Sequence, residues 1–338
     1  MPAPMTRRAF LRLLGIGIGG AACMRIANTL PDPLASSPAP TLVPLPASVT
    51  PFLPAQAAPT QAPPTAVSYP DLVVARGPTP EHLVRQGLAA LGGMPRFVHP
   101  GARVVIKPNI CVAYHSYEYA ATTNPWVVGE LVRQCLAAGA AQVTVMDSPF
   151  GGSAEQAYAI SGIEAQVQAA GGEMHLMRSF KYVATDLPQG RDLHALEIYD
   201  DVLNADVLIN VPIAKHHSLA RLTLGMKNLM GVIRDRPLMH QAIGQRLADL
   251  ASRVRPALTI VDAVRMLMAH GPSGGSLADV RQADTLILST DVVAADSYAA
   301  TLFGLQPDDL PYLRAGRDMG LGQSDLGAMR IEELRVGA

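Results

Sequence analysis

Six short runs of β-branched and aliphatic residues recur from about Asp71 onward: LVVA (72–75), RVVIK (103–107), QVTVM (142–146), VLINV (207–211), ALTIV (257–261) and TLILS (285–289). Runs this continuously apolar suit strands covered on both faces, because a half-solvated strand would alternate apolar with polar residues. Segments of helical character at 124–137, 155–170, 241–252 and 291–303 fall between them. Strands alternating with helices predict an α/β domain, doubly wound, with a mostly parallel sheet and helices on both faces in Rossmann-like layers. Local signals agree: Asn124-Pro125 pairs a capping side chain with proline at the first helical position, and Ala138-Gly139-Ala140 supplies a glycine stop before the next strand. With no fixed-period repeat and no second linker, residues 71–338 are expected to form one domain.

The chain ahead of that domain reads differently. Thr6-Arg7-Arg8-Ala9-Phe10-Leu11-Arg12, followed by a Gly- and Ala-rich apolar stretch, resembles a twin-arginine export signal. Residues 1–30 are therefore expected to be an export signal or N-terminal anchor, recognised by the twin-arginine translocase. Cleavage after Ala55-Gln56-Ala57, lipidation at Cys23 and retention as an anchor all stay open. Residues 31–70 are dominated by Pro, Ala, Ser and Thr, which cannot bury enough surface to offset chain entropy, so they read as a disordered tether. The expected location is the periplasm or the outer face of the cytoplasmic membrane, with membrane contact only through the N-terminal segment.

Composition removes several function classes. With 27 basic residues against 28 acidic ones, no global field draws the chain to nucleic acid. Cys23, Cys111 and Cys135 are too few and too scattered for a disulfide framework, a CxxC zinc site or a cysteine-ligated iron–sulfur cluster.

Ligands of open parallel sheets bind beyond the carboxyl ends of the strands. There the chain places Lys107-Pro108-Asn109, Asp147-Ser148, Lys215-His216-His217, Asp262, and Asp291 with Asp296 on the following helix. For Asp291 and Ser148 a helix-capping role explains the residue equally well. The repetition is harder to explain, since Lys227-Asn228, Arg234, Arg236 and His240 follow closely on Lys215 and His217. Several cations near two or three carboxylates fit a site for a small anionic molecule, a divalent metal, or both. The catalytic candidates are His217, Lys215, Lys227 and His240, with a histidine as general acid or base because imidazole titrates near neutrality. Lys107, Asn109, Asn228 and Arg236 are candidates for substrate binding, and Asp147, Asp262 and Asp296 for metal. His216 faces away from His217 in an extended segment, so at most one of the two enters the site.

With these residues in view, the domain resembles the DUF362 family over most of residues 71 to 327. The motifs that carry the resemblance are Lys107-Pro108-Asn109, Thr123-Asn124-Pro125, Gly139-Ala140 leading to Asp147, and Lys215-x-His217 with Thr223, Lys227-Asn228, Gly231 and His240. Val261-Asp262, Gly271-Pro272 and Asp296 complete the pattern, and Thr123 joins the substrate-binding candidates. The resemblance implies no established activity. Some members carry ferredoxin-type cysteine motifs; this chain lacks them, so no cluster of its own is expected, and a redox role would need a redox partner or another cofactor. Three readings follow: an exported enzyme acting on a small anion with metal-assisted or redox-linked chemistry, a non-catalytic binding protein or assembly factor using the same pocket, and a purely structural ion-pair network.

Overall fold

A computed structural model describes residues 68–337. The export pattern at 1–30 and most of the 31–70 tether lie outside the described residues. Among the described residues, no helix is long and apolar enough to cross a membrane.

The domain is built on twelve strands: β1 (Leu72–Arg76), β2 (Arg103–Pro108), β3 (Gln142–Val145), β4 (Glu173–Met174), β5 (Tyr182–Asp186), β6 (Ala195–Tyr199), β7 (Val207–Val211), β8 (Ile213–His217), β9 (Arg221–Thr223), β10 (Leu258–Leu267), β11 (Val280–Ser289) and β12 (Ile331–Arg335). The main sheet runs β12-β1-β11-β10-β7-β2-β3-β4, with β8 continuing beside β10 and β9 pairing β8. β10, β7, β2, β3 and β4 are mutually parallel, while β11 returns from β10 as an antiparallel hairpin and is also antiparallel to β1 on its other side. The α/β architecture and mostly parallel sheet agree with the sequence expectation. The separate β5–β6 hairpin and the short β8, β9 and β12 strands had no continuous apolar run to mark them.

Alternate residues of each central strand enter opposite cores. Val74, Val105, Leu208, Val261 and Ile287 face one side, and Val73, Val104, Ile209, Ile260 and Leu288 face the other. Burying each such aliphatic side chain contributes about 1.5–3 kcal/mol, which is why both faces must be covered. The covering helices include α1 (Pro80–Ala90), α2 (Pro125–Ala137), α3 (Ala154–Ile160) and α4 (Ile163–Ala169). The single helix expected over 155–170 is therefore two, broken where Gly162 takes φ +76°, a conformation that favours glycine. Helix α2 starts as expected, with the Asn124 side chain accepting from the Trp126 N–H.

Three further short or medium helices position the site: α5 (Gly225–Asn228), α6 (Arg236–Met239) and α7 (Ile243–Arg253), followed by α8 (Val292–Thr301). Asp296 on α8 is fully buried and accepts from the N–H groups of Gly225 (2.6 Å) and Met226 (2.8 Å). It thus holds the first turn of α5, the helix that carries Lys227 and Asn228.

Asp296→Ala strands two buried N–H groups and is expected to lower unfolding free energy by about 2–4 kcal/mol in denaturant titration. Burial raises the Asp296 pKa to about 7. Because the folded value lies above the unfolded value of about 4, its stabilising contribution is present below about pH 4 and is lost as pH rises through 7. Asp296→Asn, which does not ionise, should flatten that part of the stability profile; an unchanged slope would exclude Asp296 as its source.

Candidate functional site

Lys107 is the second-last residue of β2, and its side chain is 1% exposed. Nζ donates to the Pro108 carbonyl (2.8 Å) and to Asn228 Oδ1 (3.0 Å), and lies 2.7 Å from Asp147 Oδ1. All three ammonium donors are thereby engaged. Asp147 follows β3, and its other oxygen accepts from the Ile110 N–H at 2.6 Å. A Cβ on Gly231 would come within 2.1 Å of Asp147 Oδ1 and 2.6 Å of Lys107 Nζ, so the residue packed against this ion pair has to be glycine.

A relay of amides extends from the pair. Asn210, inside β7, donates to the Gly225 carbonyl (3.0 Å) and accepts from Asn228 Nδ2 (2.8 Å). Asn228 Oδ1 accepts from both Lys107 and Asn109 Nδ2 (2.9 Å), while Asn109 Oδ1 accepts from Lys215 Nζ (3.0 Å). Lys215 also donates to the Ala121 carbonyl at 2.6 Å. The alternation of donors and acceptors fixes each amide's orientation and places the Lys215 ammonium.

These groups line a cleft of about 440 Å³ at the carboxyl edge of β2, β3 and β7. His217, Thr223, Lys227, Arg236 and His240 join them, and Ile110, Cys111, Phe150, Leu219, Met230 and Pro272 add apolar surface. Among the described residues, Asp147 is the single carboxylate in the lining, and Lys107 neutralises it. Lys215, Lys227 and Arg236 remain as excess cations.

The Lys227 backbone carbonyl accepts from the Leu229 N–H, but its ammonium, facing the cleft, makes no hydrogen bond or ion pair with another described residue. Burial, followed by the charges of Lys215 and Arg236, lowers its pKa to about 8. His217 Nδ1 accepts from the N–H groups of Leu219 (3.1 Å) and Ala220 (3.2 Å). Burial and then Lys227 and Lys215 push its pKa down to about 3. The ring is therefore neutral with its proton on Nε2, which makes it a hydrogen-bond donor rather than the acid or base expected from sequence. Burial and then Lys227 lower the pKa of His240 at the exposed rim, leaving it a neutral proton acceptor. The Thr223 hydroxyl is buried, faces the cleft and has no hydrogen-bond partner among the described residues.

Nine sequence candidates thus meet in one cleft: Lys107, Asn109, Asp147, Lys215, His217, Lys227, Asn228, Arg236 and His240. Thr123 does not line it; its hydroxyl accepts from the Asn109 N–H (2.9 Å) and donates to the Val211 carbonyl (2.8 Å), so it supports Asn109 from behind. The expected metal set of Asp147, Asp262 and Asp296 does not converge. Asp262 is buried and accepts from the N–H groups of Asn124 (2.7 Å) and Val264 (2.9 Å), Asp296 holds α5, and Asp147 is bound to Lys107. Among the described residues, no three His, Cys, Asp or Glu side chains group as metal ligands. His216 turns away as expected, its Nδ1 accepting from the Gly271 N–H at 3.1 Å. Asn210 was missed, although an amide inside VLINV is a legible anomaly.

A family model described as Domain of unknown function (DUF362) matches residues 104–301. A thylakoid-associated protein of Synechocystis sp. is 31% identical over 247 residues, covering 70% of this chain and 74% of that protein. Among solved structures, the lactate racemase apoprotein from Thermoanaerobacterium thermosaccharolyticum aligns with a TM-score of 0.40 at 15% identity, over 63% of this chain and 53% of that one. A structural-genomics crystal structure from Thermotoga maritima aligns at 0.41 and 13% identity, over 68% of this chain and 60% of that one. The chain spans between half and two thirds of the length of these two structures.

Removing one partner of a buried ion pair leaves an uncompensated charge. Lys107→Met is therefore expected to destabilise the domain by about 3–5 kcal/mol in urea unfolding. Gly231→Ala should destabilise in the same direction, and wild-type stability in both variants would show that the pair does not organise this edge.

Proposed function

The chain belongs to the DUF362 family, and from its cleft we propose an enzyme that binds a small anionic substrate and moves a proton on it. The observation that carries this reading is the charge balance of the lining. Lys215, Lys227 and Arg236 face the cleft with no carboxylate left among the described residues of its lining to neutralise them, beside a Thr223 hydroxyl that has no partner among those residues. Like charges sharing one cleft repel, and an anionic ligand relieves that repulsion while supplying hydrogen-bond acceptors for their free donors. Arg236 is anchored through the Ser148 carbonyl at 2.7 Å, and Lys215 through Asn109 and Ala121, so both present fixed charge with little ordering on binding.

Proton transfer falls to the two groups whose state is changeable. Lys227, with its pKa lowered to about 8, is protonated at neutral pH and can donate, while neutral His240 at the rim can accept. His217 contributes an Nε2–H to the ligand. The cleft's cationic balance disfavours a divalent metal held by its own residues, so proton chemistry is preferred to metal-assisted chemistry. Residues 6–12 support a further part of the reading, in which the enzyme works outside the cytoplasm after twin-arginine export, tethered by its N-terminus. A binding protein with the same cleft would release its ligand unchanged.

Sulfate does not titrate near neutrality and serves as the probe. Calorimetry should show sulfate binding that weakens as pH rises through about 8, because Lys227 loses its proton there. Lys227→Ala should cost about 1.5–3 kcal/mol of binding, on the order of tenfold to a hundredfold in Kd, and should remove the pH dependence. Binding that is indifferent to both pH and the substitution would place the anion elsewhere.

A further inference from the structure

The sequence contains four lysines against twenty-three arginines. Lys107, Lys215 and Lys227 line one cleft, and the fourth, Lys181, forms a surface ion pair with Asp201 at 2.6 Å. Elsewhere the chain supplies positive charge through guanidinium groups, which hold their proton at any accessible pH and are not nucleophiles. An amine differs in one respect: after losing a proton it carries a reactive lone pair. The three cleft lysines are not equivalent in this respect. Lys107 spends every donor on Pro108, Asn228 and Asp147, and Lys215 is held by Asn109 and Ala121. Lys227 is unengaged among the described residues, in a partly apolar cleft whose other cations favour its neutral form.

We propose that the cleft takes a carbonyl compound bearing an anionic group, an aldehyde or ketone with a carboxylate or phosphate, and that Lys227 Nζ condenses with it to form a Schiff base. This rests on the anion-binding reading and adds the ligand's reactive group. The neutral amine adds to the carbonyl carbon, forming the C–N bond. The carbonyl oxygen then leaves as water with the two amine protons, and the imine nitrogen takes one proton from solvent. Nothing is oxidised or reduced, so no co-reactant is needed. Lys215 and Arg236 hold the anionic group while Lys227 reacts, which divides the work between the arrested and the unengaged cations. The protonated imine withdraws electrons from the adjacent carbon, whose proton His240 is then placed to remove.

The probe is pyridoxal 5′-phosphate, an aldehyde carrying a phosphate, added at one equivalent to the full chain and fixed by borohydride reduction before peptide mass mapping. One phosphopyridoxyl group on Lys227 is expected, with Lys181 largely unlabelled, protection by excess sulfate, and faster labelling as pH rises through about 8. Lys227→Arg should lose the label while keeping the wild-type melting temperature. Label on Lys181 with Lys227 untouched, in a protein that still binds sulfate, overturns the Schiff base and leaves the anion site standing. Absence of both label and sulfate binding overturns both.

Discussion

Two opposite charges, Lys107 and Asp147, are held out of water at the carboxyl edge of the sheet, and the surrounding structure answers to that constraint. Desolvating each ion costs several kcal/mol, which their attraction offsets only if the remaining donors and acceptors are satisfied. The Pro108 carbonyl, Asn228 and the Ile110 N–H provide that satisfaction. Gly231 provides the space, since any side chain there would occupy the position of the pair. Strand β2, strand β3, the turn after β2 and helix α5 are thereby tied to one point.

The same pairing sets the chemistry of the cleft. Because Asp147 is consumed by Lys107, it does not neutralise Lys215, Lys227 or Arg236, and the cleft keeps a positive balance. The amide relay from Asn210 through Asn228 and Asn109 fixes Lys215 but stops short of Lys227. One lysine is therefore structural, one is a fixed charge, and one is left to titrate or react. The His217 ring shows the same economy: two backbone N–H groups hold its Nδ1, so it serves as an oriented donor.

Much of this was legible in the sequence, for identifiable reasons. The apolar runs of β1, β2, β3 and β7 mark strands buried on both faces, and the residues just beyond them in a parallel sheet meet at one edge. Lys107, Asn109, Asp147 and Lys215 stand out that way, and Lys227 by following closely on Lys215 and His217. Asp262 and Asp296 were misread because a carboxylate that accepts backbone N–H groups looks identical in sequence to a metal ligand; the distinction depends on Asn124 and Gly225, which are remote in the chain. The tautomer of His217 depends on the turn at Leu219 and Ala220, which has no sequence signature of its own. The antiparallel course of β11 depends on where β10 ends, and β10 extends beyond its apolar run to Leu267. The break between α3 and α4 did have a signal, in Ser161-Gly162.

The central claim is that the uncompensated cations of this cleft hold an anion. The most direct measurement is anomalous diffraction from crystals soaked in selenate, an oxyanion visible at the selenium edge. The account predicts a peak within hydrogen-bonding distance of Lys215, Lys227 and Arg236, absent from crystals of a Lys215→Ala/Lys227→Ala variant. Selenate found only at surface arginines, with none between these three residues, would contradict it.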